Sequence, residues 1–412
     1  MQNNILGGKD IIITGLQSWN FGLGSNIANM ASLLSKTNRV LFVNYALDRT
    51  TLLRHRNQYV IQQYKKSKAS KKLSLETVSP GLTLFTPDIV LESINQLGPR
   101  WLFDILNKKN SEKFGKKIQE AIAQLNFHDF ILFSDSDFYR SFYLPEMLRP
   151  FASIYYIRDN MIATDYYKKH GARMEKMFIE KSDLVVANSE ILAAYAREFN
   201  VNSYDVGQGC DLELYNPAHD LPLPDDFRDA REKYRICVGY TGALKSTRID
   251  EPLLVHLAKT RPDYGFIFVG PEDRVFQKSS LHLMPNVIFL GRKPENQLPA
   301  YLKYFDVAIN PQRINEITHG NYPRKVDEYL AMGIPVVATE TATMRIFKEH
   351  TCLAKNHREF LSLIELAIAE NSPDRVEKRK KLAQQHTWEN NIKRIDNAFN
   401  QVFIKPPPAS KL

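Results

Sequence analysis

The sequence predicts an α/β protein built from two doubly wound, Rossmann-like domains. Three observations carry this: short β-branched apolar runs alternate with helical pattern, the alternation occurs twice, and each strand of the second series except the last runs into a turn bearing Gly or Pro. A chain of 412 residues exceeds the usual size of one core, and its 43% hydrophobic content supplies more than one.

The first series opens with a strand at Asp10 to Thr14 (DIIIT). The Gly-rich turn Phe21 to Ser25 leads into a helix from Ala28 to Leu34, and Val40 to Asn44 (VLFVN) is the next strand. Further strands are expected at Leu82 to Phe85, Phe130 to Ser134, Ile154 to Ile157 and Leu184 to Asn188. Asn216 to Asp226 (NPAHDLPLPDD) interrupts the pattern with three prolines and turn-forming acids, and reads as an interdomain connection. The second series has strands at Ile236 to Thr241, Phe266 to Val269, Val287 to Leu290, Val307 to Asn310 and Val336 to Ala338. Its helices fall near Glu251 to Thr260, Pro299 to Phe305 and Tyr322 to Met332. The turns are Gly242, Gly270 with Pro271, Gly291 and Pro311, and ligands of open α/β sheets bind outside such carboxyl ends.

Within this series PRKVDEYLAMGIPVVAT, from Pro323 to Thr339, is the densest signal. Proline suits a helix start because its missing N–H would be unsatisfied there, and Gly333 stops the helix before a buried strand. The helix N-terminus then presents free N–H groups beside the strand ends, a geometry suited to an anion such as phosphate.

Composition excludes several classes. No segment approaches the apolar length of a membrane span, and MQNNILGGKDIIITG lacks the basic and apolar regions of a signal peptide, so a cytoplasmic location is expected. Cys210, Cys237 and Cys352 are scattered and odd in number, which suits neither a disulfide framework nor a zinc cluster; they read as buried small apolar residues. The chain carries 55 Lys and Arg against 46 Asp and Glu, and residues 54–72 contain seven of the bases and no acid. A second basic cluster comprises Lys108, Lys109, Lys113, Lys116 and Lys117. Such segments could meet an anionic membrane surface or a phosphorylated acceptor, or lie as solvated surface loops. Nucleic acid ranks last, because no zinc-finger or RNP-like signature accompanies the charge.

Taken together, several segments resemble GT-B glycosyltransferases of the group 1 type, akin to glycosyltransferase family 4 and to enzymes of bacterial surface-polysaccharide synthesis. They are PRKVDEYLAMGIPVVAT, YTGALKSTRIDEPLLVHLAKTRPDYGFIFVGP from Tyr240, NVIFLGRKPENQLPAYLKYFDVAINP from Asn286, and KSDLVVANSEILAAYAREFN followed by VGQGCDLELYNP. The resemblance implies a GT-B architecture of two Rossmann-like domains facing a central cleft: an acceptor domain at 1–210, a nucleotide-sugar domain at 211–385, and a helix over 386–412 crossing back to the first domain. It implies transfer of a sugar from a nucleotide-diphosphate sugar to a saccharide or lipid-linked acceptor, retaining and without metal or other cofactor. A cytoplasmic protein, peripheral at the inner face of the membrane, would suit that chemistry.

The donor-side set is Gly242, Lys245, Arg248, Gly291, Arg292, Thr318, His319, Arg324, Lys325 and Glu328. Lys325 is the first choice for the diphosphate, with Lys245 or Arg248 next, since a departing nucleoside diphosphate needs its developing charge stabilised. The resemblance gives Glu328 to ribose or sugar hydroxyls and to catalysis, against the plainer reading of an exposed helix carboxylate pairing with a lysine. Family members carry a second glutamate at the position held here by Gly320, so the loop QRINEITHGNY departs from the pattern. Asn315, Thr318, His319 or Asn321 could contact the sugar instead.

On the acceptor side stand Gly22 and Gly24, in a turn that either approaches ligand or simply opens a helix. Asp159, at another strand end, either orients the acceptor and moves a proton or caps the strand. Two rival motifs are weak. Asp135-Ser136-Asp137 resembles the metal-binding Asp-x-Asp of GT-A enzymes. Gly22-Leu23-Gly24 hints at a dinucleotide fingerprint, but Ile27 stands at the third glycine and no acid ends the next strand. The alternatives to a transferase are a GT-B-fold nucleotide-sugar epimerase and a non-catalytic GT-B-like binding protein.

Overall fold

The structure is a computed structural model and describes residues 7–19, 25–54, 59–70 and 72–403. The chain forms two compact units, 1–207 with 391–412, and 208–390.

The first unit contains strands β1 (Asp10–Gly15), β2 (Arg39–Val43), β3 (Leu47–Asp48), β4 (Leu75–Ser79), β5 (Leu82–Phe85), β6 (Val90–Leu91), β7 (Ile131–Asp135), β8 (Ala152–Ile157), β9 (Leu184–Ala187) and β10 (Ser203–Asp205). Eight of them form one sheet in the order β10-β9-β8-β7-β1-β2-β5-β4, and β3 pairs separately with β6. Every pairing is parallel except β4 on β5. Sandwiched between helices, β1, β7, β8 and β9 are buried along their whole length, which is why they read as continuous apolar runs. Ser25 caps the helix Asn26–Leu34 by accepting from Ala28 N–H. The last helix, Trp388–Phe403, contributes its residues from Asn391 to this unit, where Asn391 donates to the carbonyls of Val206 and Gly207.

The second unit has β11 (Ile236–Thr241), β12 (Tyr264–Val269), β13 (Val287–Gly291), β14 (Val307–Asn310), β15 (Val336–Thr339) and β16 (Cys352–Ala354), all parallel, in the order β13-β12-β11-β14-β15-β16. Strand order reverses between β11 and β14, so the crevice beyond their carboxyl ends is where such a sheet takes a ligand. One apolar layer, including Phe227, Phe305, Tyr329 and Met344, covers one face; another, including Leu253, Leu257, Phe268 and Ile364, covers the other.

Three expectations need correction. The Pro-rich stretch 216–226 is not the crossing between units: Leu221 and Leu223 pack on the second core, and the Leu221 carbonyl accepts from the Tyr304 hydroxyl at 2.9 Å. The second basic cluster is not a loop but part of a 26-residue helix, Arg100–Leu125, ended by Asn126 in the left-handed conformation (φ 53°). The earlier basic segment includes the helix Tyr59–Ser70, which buries Ile61, Tyr64 and Ser67 and exposes Lys65, Lys66 and Lys68. It is thus anchored rather than a free loop over its described part. Among the described residues no helix is long and apolar enough to cross a membrane.

Candidate functional site

The site in the second unit is built where β11, the turn after β14 and the helix Arg324–Ala331 meet. β11 runs into Gly242, whose φ of +125° is open only to glycine at low cost and whose N–H donates to the Val269 carbonyl at 2.9 Å. Gly270 crosses so close to it that an added Cβ would lie 2.0 Å from the Gly242 carbonyl oxygen. The helix is seated on this turn by Tyr329, whose hydroxyl accepts from Thr241 N–H at 2.9 Å and approaches Thr241 Oγ1 at 3.2 Å. Pro323 occupies the N-cap and supplies no side-chain cap; in the first turn Arg324 N–H donates to the Tyr322 carbonyl at 3.1 Å and Val326 N–H to the Pro323 carbonyl at 2.8 Å.

Lys325, half-buried in that turn, carries its ammonium 5.1 Å from the Tyr240 ring centroid. A Cβ at Gly242 would sit 3.2 Å from Lys325 Cε, so the glycine makes room for the lysine as well as for the turn. Desolvation pulls the Lys325 ammonium down to about 8; Glu328 opposes that shift, while Arg248 and Arg324 reinforce it. One turn on, buried Glu328 accepts from Arg324 Nε at 2.9 Å, and Arg324 Nη2 reaches Glu295 at 2.5 Å. Burial works against the Arg324 charge, but these two carboxylates outweigh it and hold the guanidinium above its usual range. The first turn therefore concentrates cationic groups with one buried acid between them.

Beneath it, Asp327 is wholly buried and accepts from the Tyr322 hydroxyl at 2.8 Å, with His386 Nδ1 also at 2.8 Å. Burial raises the Asp327 carboxyl despite both partners. These contacts tie the helix to the end of the second unit without facing the anion position.

The loop 313–321 is organised by Thr318. Its buried hydroxyl donates to the Arg313 carbonyl at 2.6 Å and accepts from Asn315 N–H at 3.1 Å. Gly320 has φ +74°, so the position where an acid was expected needs a backbone that a glutamate would strain. Arg248 Nη1 donates to Asn321 Oδ1 at 3.1 Å, and Arg313 N–H to the Arg248 carbonyl at 2.8 Å, tying the loop to the turn after Gly242.

Residues 238–369 match the family described as glycosyl transferases group 1. That match lies wholly within the second unit. A Bacillus subtilis protein assigned to teichuronic acid biosynthesis as glycosyltransferase TuaH is 25% identical over 247 residues, which are 56% of this chain and 60% of that protein's length. Among solved structures, sucrose-phosphate synthase of Thermosynechococcus elongatus superposes with a TM-score of 0.69 at 15% identity, covering 96% of this chain and 99% of the other. Anabaena HepE, solved with UDP and glucose, gives 0.64 at 16% identity, covering 95% and 100%. The fold is GT-B.

Within the second unit the structure brings Gly242, Arg248, Arg324, Lys325 and Glu328 into one connected set. Lys245 follows the same turn but its side chain is exposed; its carbonyl accepts from the N–H groups of Arg248 and Ile249. Gly291 ends β13, Arg292 next to it is exposed, and this segment reaches the set through Glu295. Thr318 spends its hydroxyl inside the loop, so its role is to shape that loop. His319 is exposed beside it. The reading of Glu328 as an exposed carboxylate paired with a lysine is replaced by a buried one paired with Arg324. Tyr240, Tyr329, Glu295 and the Tyr322–Asp327–His386 cluster were missed; only the i, i+4 spacing of Arg324 and Glu328 was a local signal.

In the first unit Asp159 follows β8, and its carbonyl accepts from Met161 N–H at 2.8 Å. The neighbouring Arg158 grips Asp135 through Nε at 2.5 Å and Nη2 at 2.7 Å, while Asp137 pairs with Arg140 at 3.2 Å. Both carboxylates of the Asp-x-Asp stretch are thus engaged by guanidinium groups instead of forming an open cation site, and among the described residues no cluster of three ligating side chains occurs. Gly22 and Gly24 lie outside the described residues.

Proposed function

We propose that this chain is a glycosyltransferase that moves a sugar from a nucleoside-diphosphate sugar to a saccharide or lipid-linked acceptor. The observation that carries the reading is the start of the helix Arg324–Ala331, with the Lys325 ammonium packed against Tyr240 and Gly242 and Glu328 held by Arg324. A diphosphate placed there meets the Lys325 ammonium and the helix dipole as charge develops on it. Glu328 is assigned to the donor hydroxyls, with Arg324 fixing its rotamer.

In the reaction the bond from the anomeric carbon to the diphosphate oxygen breaks and a bond from the acceptor oxygen to that carbon forms. The acceptor proton passes to the departing phosphate, so a retaining course needs no separate side-chain base, and Asp159 serves to orient the acceptor. Cationic stabilisation by Lys325 and Arg324 supports metal-independent transfer. HepE, solved with UDP and glucose, and the teichuronic acid relative point to a UDP-sugar and to surface polysaccharide as product class. The exposed Lys65, Lys66 and Lys68 supply the anionic-membrane contact of a peripheral enzyme.

A panel of UDP- and GDP-sugars tests this. Donor binding weakened in both Lys325→Ala and Glu328→Ala is expected, followed by label transfer to a lysate acceptor. Affinity unchanged in both variants overturns the site, and turnover of the donor with no acceptor product replaces the transferase with an epimerase.

A further inference from the structure

A cavity of about 460 Å³ opens at the amino ends of β15 and β16, the opposite end of the second sheet from the site above. Its walls come from the turn before β16, including Lys348 and His350, and from the helix Pro373–Ala383, including Arg375, Lys378 and Arg379. Charge is unevenly compensated there. Arg375 pairs with Glu370 at 2.7 Å and Lys378 with Asp374 at 2.8 Å, and Glu349 is exposed at the rim.

Arg379 differs. It is only 5% exposed, it donates Nε to the Gly333 carbonyl at 3.0 Å and Nη2 to Asn371, and it makes no ion pair with any described carboxylate. A buried guanidinium facing only neutral acceptors is costly, and proteins ordinarily place an anion against it. Desolvation and the nearby Arg375 charge together press it down to about 10, the direction expected of a cation short of a counter-charge.

We propose that this cavity is a second ligand site of the chain, distinct from the donor site, that binds a small phosphate monoester. The guanidinium at its base offers planar donors suited to a phosphate, and Lys348 and Lys378 lie at the mouth. The volume is that of a small-molecule pocket rather than of one bound oxyanion, leaving space for a sugar-sized body. The same guanidinium holds the carbonyl of Gly333, the residue that ends the helix bearing Lys325 and Glu328.

Calorimetric titration of the full chain with glucose 6-phosphate tests the proposal, with inorganic phosphate and glucose as the two partial ligands. Because Arg379 also supports Gly333, the variant used is the exposed pair Lys348→Glu with Lys378→Glu, its folding checked by thermal melting. Saturable binding of the ester, equal in Lys325→Ala and roughly tenfold weaker in the charge-reversed pair, is expected, with no binding of glucose. Absence of ester binding, retention of full affinity in the pair, loss in Lys325→Ala, or equal affinity for inorganic phosphate each overturns it.

Discussion

On the proposed assignment of Lys325 to the diphosphate, donor binding should depend on pH near 8. With its ammonium near 8, roughly 90% of molecules carry the charge at pH 7 and roughly 10% at pH 9. A charge-assisted bond to a diphosphate contributes about 1.5–3 kcal/mol, or roughly ten- to 150-fold in affinity. The second-order rate constant kcat/KM should therefore fall by up to about tenfold per pH unit above 8, then level at the value of the neutral lysine. Binding a nucleoside diphosphate at pH 8 should also draw in about half a proton per site, because the arriving anion restores the charged form. Calorimetry in buffers of different ionisation enthalpy reads that uptake directly. Lys325→Met should abolish both the limb and the uptake, while Lys325→Arg should move the limb out of range. A wild-type profile flat from pH 7 to about 9.5, or the same limb in Lys325→Met, would refute the assignment.

Three further outcomes follow from the same geometry. Glu328→Gln keeps the volume but removes one of the two carboxylates on Arg324, and should weaken donor binding about ten- to 100-fold in an equilibrium titration, with a melting temperature close to that of the wild type. Gly242→Ala forces a side chain into φ +125° and against Lys325 Cε; denaturant unfolding should show a loss of about 1–3 kcal/mol together with weaker donor binding. In the first unit, burial lifts the Glu175 carboxyl to about 7, against hydrogen bonds from Tyr155 and Tyr195 that favour its charged form. The folded chain thus holds this proton up to pH 7 while the unfolded chain releases it near 4.5, so stability should fall by about 3 kcal/mol as pH rises between those values. Glu175→Gln should remove that slope from urea unfolding curves.

Much of the second unit was legible because its signals are local. Pro323 and Gly333 mark the two ends of one helix, Gly333 indeed taking φ +76°, and buried parallel strands declare themselves as apolar runs. The helix Arg100–Leu125 was missed because it buries Asn107, Asn110, Ser111 and Gly115, which break the apolar stripe that periodicity detects. β4 was missed because it is a sheet-edge strand with no buried side chain. Functional partners were hidden for a different reason: Arg158 lies 23 positions from Asp135, and His386 lies 59 from Asp327. Motif spacing shows which acids are present, whereas only the fold shows which bases already occupy them.

The Thr318-centred loop has a practical corollary. Because its own hydroxyl and amide bonds hold it together, and Asn315 and Arg248 fasten it to the turn at 245–248, loop and turn form a two-piece module resting on an otherwise continuous sheet. Exchanging residues 312–322 alone between related chains would cut those fastenings. Exchanging them together with 245–248 would carry the fastenings along, and so offers the smallest graft of this loop that leaves the helix Arg324–Ala331 undisturbed.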